Sequence, residues 1–457
     1  MNSVNFILHP GHVFPVSGKL FLLLLTAVIV TSCTYRKYQP FPPCTPMESG
    51  RFEVLSSNSS SAQDVMNRMS QMAKDPAVFG YRDMCEQMKM NQSNSARNNS
   101  AALIYHEAIS YRSTDNNGKV VQLSGLLVYP WSPLQTISAP IVSVNHGTQL
   151  MKKYGPSQWK YAQWSDWENF PEMAVADLMA AYYGWIIIMP DYQGMGFDTS
   201  EVHPYCINDR LANSTADMVE AAEEYFSCAA NNIYVSWNKQ TFLYGYSEGG
   251  FVTMAAAREL EERNVNLAGV VCMDGPYDLS GTMLNVMLSN DPFPVPYFLP
   301  MMLVGYHAIY PSVFDYNLML KDPYRTDIPK YANGFYDNDK VNSIMPQSKI
   351  LKEVFTPAFL DTLQNKSSSA YLALYENNSY VGWTPKSKML LWHCKNDDCV
   401  PFGNFVAAKE RFTTLGLKNI DYVEWPAVDP EPGKTIHVTV ATRAFYEGSL
   451  WIFNQTK

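Results

Sequence analysis

The motif Gly-Tyr-Ser-Glu-Gly at positions 245–249 is the feature that most restricts how this chain can fold. An apolar, strand-like run at 241–244 precedes it, and a helix-like run at 250–257 follows it. In a G-x-S-x-G turn between a strand and a helix, the serine takes a strained backbone conformation and its hydroxyl is exposed. The flanking glycines let so sharp a turn close. The helix would also direct its N-terminus, and the backbone amide of Glu248, towards the hydroxyl of Ser247.

The length and charge of the chain restrict its class. Its 457 residues, of which 47% are hydrophobic, can form a large core in one enlarged domain that carries an insertion. The net charge is −9, and no cluster of lysine and arginine stands out in the sequence. Because proteins that bind nucleic acids usually carry a basic patch, we expect no nucleic-acid partner.

The N-terminal residues have the pattern of an export signal. Lys19 precedes an apolar run at 20–30 that is too short to cross a membrane comfortably as a helix. The run ends in Val-Thr-Ser-Cys at 30–33, which resembles a bacterial lipobox, in which Cys33 would be lipidated. We therefore predict a lipoprotein-type signal peptide over 1–32, a membrane anchor at Cys33, and a place in the bacterial cell envelope or at its surface. An ordinary signal peptide, which would release a secreted protein, and an uncleaved anchor are the alternatives.

The stretch after the signal is polar and rich in proline and serine. This composition predicts a tether over 33–60, between the membrane surface and a folded body. The folded body is predicted to begin at residue 61, with helical segments near 62–74 and 81–90.

Export would permit disulfide bonds, and the chain has eight cysteines. If Cys33 carries lipid, seven remain. Pairing by proximity leaves Cys272 as a buried thiol and gives the pairs Cys44–Cys85, Cys206–Cys228 and Cys394–Cys399, although spacing cannot fix the connectivity. No C-x-x-C or H-x-x-x-H pair is present in the sequence, so we expect no metal and no cofactor.

Apolar strand-like runs alternate with amphipathic helix-like runs over most of the chain. Strands are predicted at 102–109, 120–129, 140–144, 185–189, 241–244, 267–273, 389–393 and 420–425, and helices at 172–183, 215–229, 250–257 and 404–414, before a closing helix that ends near 451–453. This alternation predicts an α/β fold with a mostly parallel twisted sheet and helices on both faces. An Asn-Gly turn at 117–118 predicts that the first two strands form an antiparallel hairpin at the sheet edge.

Residues 276–385 break this pattern. They are rich in methionine, proline and aromatic residues and show no strand rhythm. We predict an inserted helical cap over the site, so that the core is formed by 61–275 and 386–457. A helical excursion packed on the sheet edge is the alternative. Apolar surfaces rich in methionine adapt to varied apolar partners, which suits an acyl-binding tunnel.

Three residues form a candidate set for nucleophilic catalysis. A serine hydroxyl is a poor nucleophile, and it needs a base to take its proton and an acid to orient that base. Asp397 follows the buried strand at 389–393, and His437 follows the last predicted strand. Because parallel strands direct their carboxyl ends to one edge of the sheet, both side chains can reach Ser247.

Other residues compete for these roles. Asp398 is the neighbour of the preferred acid and would otherwise face solvent or cap the next helix. Asp274 ends the strand after the elbow, from which some hydrolases draw their acid. His393 precedes the acid loop, and we expect it to shape that turn.

Part of the chain resembles a known family. The resemblance extends from about residue 100 to the C-terminus, and it depends on the motif at 245–250, the run 391–401 and His437-Val438-Thr439. These residues are similar to those of the secretory lipase family, the lipase A-like branch of the α/β-hydrolases. The resemblance implies an α/β-hydrolase fold with a helical lid over 276–385. The sequence of this lid is individual, so a preference for acyl chain length does not carry over.

The same resemblance implies roles for individual residues. Ser247 would be the nucleophile, Asp397 the acid and His437 the base. In this fold the amide after the nucleophile, here that of Glu248, binds the oxyanion together with an amide from the loop after the third strand. That loop is His-Gly-Thr at 146–148, so Gly147 or Thr148 is expected to supply the second amide. The loop resembles those of bacterial esterases more than those of the fungal lipases.

These features predict an exported, monomeric serine hydrolase that cleaves a small-molecule or lipid carboxylic ester through an acyl-enzyme. A serine peptidase of the same fold is one alternative. It would need carboxylates or arginine to bind peptide termini, and no sequence pattern identifies them. A surface lipoprotein that binds without catalysis is the other alternative, and the complete serine, aspartate and histidine set argues against it.

Overall fold

The computed structural model describes residues 47–72, 103–115, 118–133, 136–159, 171–198, 201–228, 231–232 and 234–457. The predicted signal peptide, the lipidation site Cys33, the pair Cys44–Cys85 and the helix near 81–90 lie outside these residues. Within them, no helix combines the length and the apolar character that crossing a bilayer requires.

A mixed, nine-stranded sheet forms the centre of the described part of the chain, in the spatial order β1-β2-β3-β5-β4-β6-β7-β8-β9. Its strands are β1 (Phe52–Ser61), β2 (Leu103–Thr114), β3 (Val120–Trp131), β4 (Ile137–Asn145), β5 (Ile186–Pro190), β6 (Val235–Tyr246), β7 (Gly269–Met273), β8 (Met389–Cys394) and β9 (Ile420–Trp425). Strands β4 to β9 run parallel to one another. Strands β1, β2 and β3 add antiparallel pairings at one edge. The predicted hairpin of β2 and β3 is confirmed, with Leu103 opposite Trp131.

The edge strand β1 corrects the predicted tether over residues 52–60, while residues 33–46 of that tether lie outside the described part of the chain. The segment Phe52–Ser61 pairs antiparallel with β2, and most of its side chains are exposed. An edge strand gains backbone hydrogen bonds from its neighbour even when it buries few side chains. The serine-rich composition of this segment therefore did not predict a strand, because backbone hydrogen bonds to β2 hold β1 in the sheet.

Helices cover both faces of the sheet. They are α1 (Ala62–Met72), α2 (Pro171–Leu178), α3 (Asn208–Phe226) and α4 (Glu248–Glu262), followed after the cap by α12 (Gly403–Thr414) and α13 (Ile436–Gln455). Side chains of one strand alternate between the two cores, so that Ile187 packs on the face with α2 and α13, and Ile186 on the face with α3 and α4. Because helices cover both faces there, the parallel strands β5, β7 and β8 are buried along their whole length.

The segment between β7 and β8 is helical. Its helices are α5 (Leu284–Leu288), α6 (Phe298–Ile309), α7 (Tyr316–Met319), α8 (Tyr324–Tyr331), α9 (Asn338–Ser343), α10 (Pro357–Gln364) and α11 (Ser369–Glu376). They share an apolar core with parts of the sheet domain, including Tyr205 and Phe251. The predicted fold class, a mostly parallel sheet with helices on both faces and an inserted helical cap, is confirmed.

Candidate active site

Ser247 joins β6 to α4 in the strained conformation that the motif predicts. Its φ is 60° and its ψ is −127°, which is unusual for a residue other than glycine. A Cβ added to Gly245 would lie 2.1 Å from the carbonyl oxygen of Gly249, and one added to Gly249 would lie 2.0 Å from that of Asn145. The turn therefore excludes any side chain at both flanking positions.

We expect Gly249→Ala to lower the free energy of unfolding by about 3 kcal/mol and to abolish catalysis, because the backbone must move to admit the methyl group. Gly382→Ala is the control, since a Cβ there meets nothing within 4 Å and only the positive φ of 73° opposes the change. That variant should lose about 1 kcal/mol and keep its activity. Urea unfolding and ester turnover of both variants test this, and equal losses of stability would contradict it.

His437 lies within hydrogen-bond distance of Ser247. The distance from His437 Nε2 to Ser247 Oγ is 2.8 Å. His437 is in the first turn of α13, after the N-cap Thr435. Two hydrogen bonds hold the backbone of His437 in place. Its amide donates to Asp398 Oδ1 at 3.2 Å, and its carbonyl oxygen accepts from the Tyr246 hydroxyl at 2.6 Å.

Asp397 completes the set from the loop after β8. Its Oδ2 lies 2.5 Å from His437 Nδ1, and its Oδ1 accepts hydrogen bonds from the amides of Cys399 and Val400 at 2.9 and 2.8 Å. A carboxylate can only accept, so Nδ1 carries a proton and Nε2 of the neutral imidazole is free to accept from Ser247. Burial raises the pKa of Asp397, but the opposing contributions of His437, His393 and the Val400 amide together hold this pKa below its usual range.

The structure separates Asp397 from its competitors. Asp398 accepts the amides of Ile436 and His437, each at 3.2 Å, and thereby caps the N-terminus of α13. Asp274 is fully buried at the end of β7 and accepts the amide of Cys394 at 2.9 Å. Of these three carboxylates, only Asp397 is hydrogen-bonded to the imidazole ring of His437.

His393 has the structural position that the sequence suggests. Its Nε2 lies 2.8 Å from the carbonyl oxygen of Val400, across the acid loop. Burial lowers the pKa of His393 to about 4, so the ring is neutral near neutral pH. His393, Asp274 and Asp397 bring possible metal-ligating atoms within 4.8 Å of one another, but each residue already takes part in hydrogen bonds of the site.

The backbone around Ser247 offers an incomplete match to the predicted oxyanion donors. Glu248 begins α4, so its amide is at the helix N-terminus, beside the serine. The amide of Gly147 donates to Glu172 Oε1 at 2.8 Å, and this bond removes it from the set of available donors. Of the two predicted alternatives for the second donor, this leaves Thr148, whose hydroxyl contacts that of Tyr205 at 3.0 Å.

The predicted cysteine pairs in the described residues are also wrong. Cys206, Cys394 and Cys399 are free buried thiols, as is Cys272. The sulfur of Cys394 lies 3.3 Å from Asn396 Oδ1, and that of Cys399 lies 3.5 Å from Asp398 Oδ1. The thiols that bracket the acid loop thus contact different polar atoms, and hydrogen bonds to Asp397 fix this loop instead of a disulfide.

An apolar pocket adjoins Ser247. It has a volume of about 550 Å³, part of which is open solvent. Its walls come from the cap and from the loops around the serine: Tyr205, Cys206, Pro276, Leu279, Met283, Val286, Met287, Phe293, Phe298, Leu299, Met302, Leu351, Cys399 and Val400. Such a pocket can hold a hydrocarbon chain beside a nucleophile.

Several contacts of the site had no sequence signal. Glu172, in α2, holds the loop of Gly147, and His203 Nε2 lies 2.6 Å from the buried carboxylate of Glu248. The hydroxyl of Tyr246 contacts His437 although the two residues are 191 positions apart. Tyr246 occupies a variable position of the serine motif, so the motif does not predict that its side chain contacts His437.

No protein-family model matches the chain, and no curated protein matches it in sequence. Among solved structures, a protein from Legionella pneumophila named as a hydrolase has a TM-score of 0.70 and 22% identity, over 89% of this chain and 97% of its own. The rice cell wall degrading esterase LipA from Xanthomonas oryzae has a TM-score of 0.69 and 19% identity, over 88% and 99%. Candida antarctica lipase A in its closed state has a TM-score of 0.57 and 14% identity, over 87% and 82%. Identities this low establish the shared architecture alone, so membership in the secretory lipase family stays a prediction, and the chain has an α/β-hydrolase fold.

Proposed function

We propose that this protein is a serine hydrolase that cleaves carboxylic esters. One observation carries the proposal: Ser247 Oγ, the imidazole of His437 and Asp397 Oδ2 form a continuous chain of hydrogen bonds of 2.8 and 2.5 Å. Such a chain is the geometry that activates a serine nucleophile. The esterase and the lipase among the similar structures agree with this reaction class.

The reaction follows from the positions of these groups. Ser247 Oγ attacks the ester carbonyl while its proton passes to Nε2 of His437, and Asp397 stabilises the imidazolium. The amide of Glu248, with that of Thr148 as second donor, binds the oxyanion. The carbonyl–oxygen bond to the alcohol then breaks, and His437 returns its proton to the departing oxygen. Water, activated by the same imidazole, attacks the acyl-enzyme and releases the acid.

The apolar pocket, which the cap helps to form, favours the acyl chain as the part of the ester that binds there. Its lining offers hydrocarbon and thioether surface rather than charges, so it suits esters with an extended apolar acyl chain. We also propose that the predicted lipid at Cys33 holds a monomeric enzyme at the surface of the cell envelope, near lipidic or polymeric esters.

A comparison of two substrates tests the reaction class. We expect the purified protein to hydrolyse p-nitrophenyl butyrate with a kcat/KM at least about 10²-fold above that for an aminoacyl p-nitroanilide. A higher rate on the anilide would support the peptidase of the same fold. Failure to turn over either substrate would support a binding protein.

Narrowing the pocket should change the preference for acyl length. Met302 lines the pocket from α6, and Met302→Trp would fill space that a chain of eight or so carbons needs. We expect kcat/KM for p-nitrophenyl octanoate to fall about 30-fold, while that for the acetate changes less than about 3-fold. A substrate panel from acetate to palmitate measures this.

The neighbouring Met301 provides a matched control. It is also buried in α6, but it lines a different pocket, with Lys152 and His203. Met301→Trp should therefore leave the octanoate-to-acetate ratio within about 3-fold of that of the unaltered protein. Equal losses on octanoate and acetate in Met302→Trp would show that this pocket does not bind the acyl chain.

A further inference from the structure

A second buried carboxyl group lies beside the candidate triad without being part of it. Asp274 follows β7 with a positive φ of 41°, and its side chain is fully buried. Its Oδ1 accepts the amide of Cys394 at 2.9 Å and lies 3.2 Å from His393 Nε2. Its Oδ2 has no hydrogen-bond partner among the described residues. An ionised carboxylate with a bare oxygen in this position would be poorly solvated.

The groups around Asp274 do not supply a positive charge. His393, from β8, is neutral because burial lowers its pKa to about 4, and its Nε2 hydrogen faces the Val400 carbonyl. Asp397 lies so close that atoms of both carboxyls are within 4.8 Å of each other, and its charge is already stabilised by His437. Two carboxylates at such a distance do not both ionise readily. Burial and the charge of Asp397 raise the pKa of Asp274 well above its usual range.

The Tyr246 hydroxyl, at the end of β6, can accept a hydrogen bond from a protonated Asp274. It is next to the Asp274 carboxyl, and a hydrogen bond that the hydroxyl donated there would lower the pKa of Asp274 and raise that of Tyr246. It donates its own single proton to the carbonyl oxygen of His437 at 2.6 Å, so that its lone pairs are left to accept. If Oδ2 of Asp274 carries a proton, it can donate a hydrogen bond to the Tyr246 hydroxyl. Oδ2 then has the hydrogen-bond partner that it otherwise lacks.

We propose that Asp274 is a positioning residue, held as an uncharged carboxylic acid that directs its proton at the Tyr246 hydroxyl and so fixes the contact of Tyr246 with His437. The buried negative charge next to the imidazole is then that of Asp397. This inference rests on the proposed function, because it assigns the part of the site that orients the base.

Isosteric and truncating variants test this role through the pH profile of kcat/KM. Asp274→Asn is neutral and can still donate, so we expect kcat within about 3-fold of the parent and an acid limb within about 0.2 pH unit of it. Asp274→Ala removes the donor and should lower kcat about 10-fold with KM unchanged. In a Tyr246→Phe background the same alanine substitution should cost less than about 2-fold, because both act through one contact.

Opposite results overturn the proposal. If Asp274 is ionised, the asparagine variant loses a negative charge beside the imidazole, and its acid limb moves to lower pH by about 0.5 unit or more. Full activity of Asp274→Ala would remove the positioning role. Circular dichroism and thermal melting establish that each variant is folded.

An infrared difference spectrum gives a readout that needs no turnover. The spectrum of the parent minus that of Asp274→Asn at neutral pH should contain the carbonyl band of a protonated carboxylic acid, and a carboxylate band instead would contradict the proposal. If the proposed function is itself wrong, the parent shows no esterase activity, while the infrared band still reports the state of Asp274.

Discussion

Alanine in place of His437 is expected to lower kcat for ester hydrolysis by about 10⁵-fold while KM changes little. The imidazole is the group within reach of the serine proton, at 2.8 Å from Ser247 Oγ. Without it the hydroxyl has no base, and the remaining rate would come from substrate binding and the oxyanion amides. Turnover of p-nitrophenyl butyrate by the purified variant measures the loss.

The control for this variant is His307→Ala. His307 is in the cap helix α6, where its Nδ1 lies 2.8 Å from the Phe314 carbonyl oxygen, and it does not line the pocket beside Ser247. It should keep kcat within about 3-fold of the parent. Because base and nucleophile act as a unit, His437→Ala combined with Ser247→Ala should be no less active than either single variant. Additive losses would contradict a shared role.

The second large effect is expected at Asp397. Asp397→Asn should lower kcat about 10⁴-fold, because an amide cannot hold the imidazole in the tautomer that leaves Nε2 free to accept from Ser247. The side chain also accepts the amides of Cys399 and Val400, so thermal melting must establish that the variant is folded.

Asp398 offers the matched comparison, since it is the adjacent carboxylate and hydrogen-bonds backbone amides, whereas Asp397 hydrogen-bonds the imidazole ring. The oxygens of Asp398 accept the amides of Ile436 and His437 at the start of α13. Asp398→Asn should therefore lower the free energy of unfolding by about 1 kcal/mol and leave kcat within about 10-fold. A larger loss of kcat at Asp398 than at Asp397 would mean that the acid has been assigned to the wrong residue.

The parts of the fold that the sequence predicted are those with strong local patterns. Strands β5, β7 and β8 are short apolar runs, and the elbow at Ser247 combines a strand, small residues and a helix in fewer than about 20 residues. The strand β1 has no such pattern, because its serine-rich side chains face solvent and its stability comes from pairing with β2. Backbone pairing with a distant segment leaves no trace in local composition.

The site shows the same division between local and distant information. Ser247 could be predicted from the motif, and His437 from its position after the last predicted strand. The choice among Asp397, Asp398 and Asp274 depends on which carboxyl reaches the imidazole, and that distance is set by the packing of β7, β8 and α13. A sequence pattern can identify these three residues as candidate acids, but only the tertiary contacts show which of them reaches the imidazole of His437.

Two expectations about the site meet competing hydrogen-bond partners in the structure. Gly147 or Thr148 was expected to supply the second oxyanion amide, yet the side chain of Glu172, 25 positions from Gly147, accepts the hydrogen bond of the Gly147 amide. Cys394 and Cys399 were expected to pair, yet their sulfurs contact different partners. The partner of the Gly147 amide comes from another element, α2, whereas the two sulfurs contact Asn396 and Asp398 of their own loop.

Covalent labelling by a fluorophosphonate tests the central claim most directly. The reagent phosphonylates a serine only when a base activates it, and so it reports the hydrogen-bonded chain from Ser247 through His437 to Asp397. We expect the parent protein to take up about one equivalent at Ser247, as located by peptide mass spectrometry, and the Ser247→Ala and His437→Ala variants to remain unlabelled. No labelling of the folded parent, or labelling that persists in Ser247→Ala, would contradict the account.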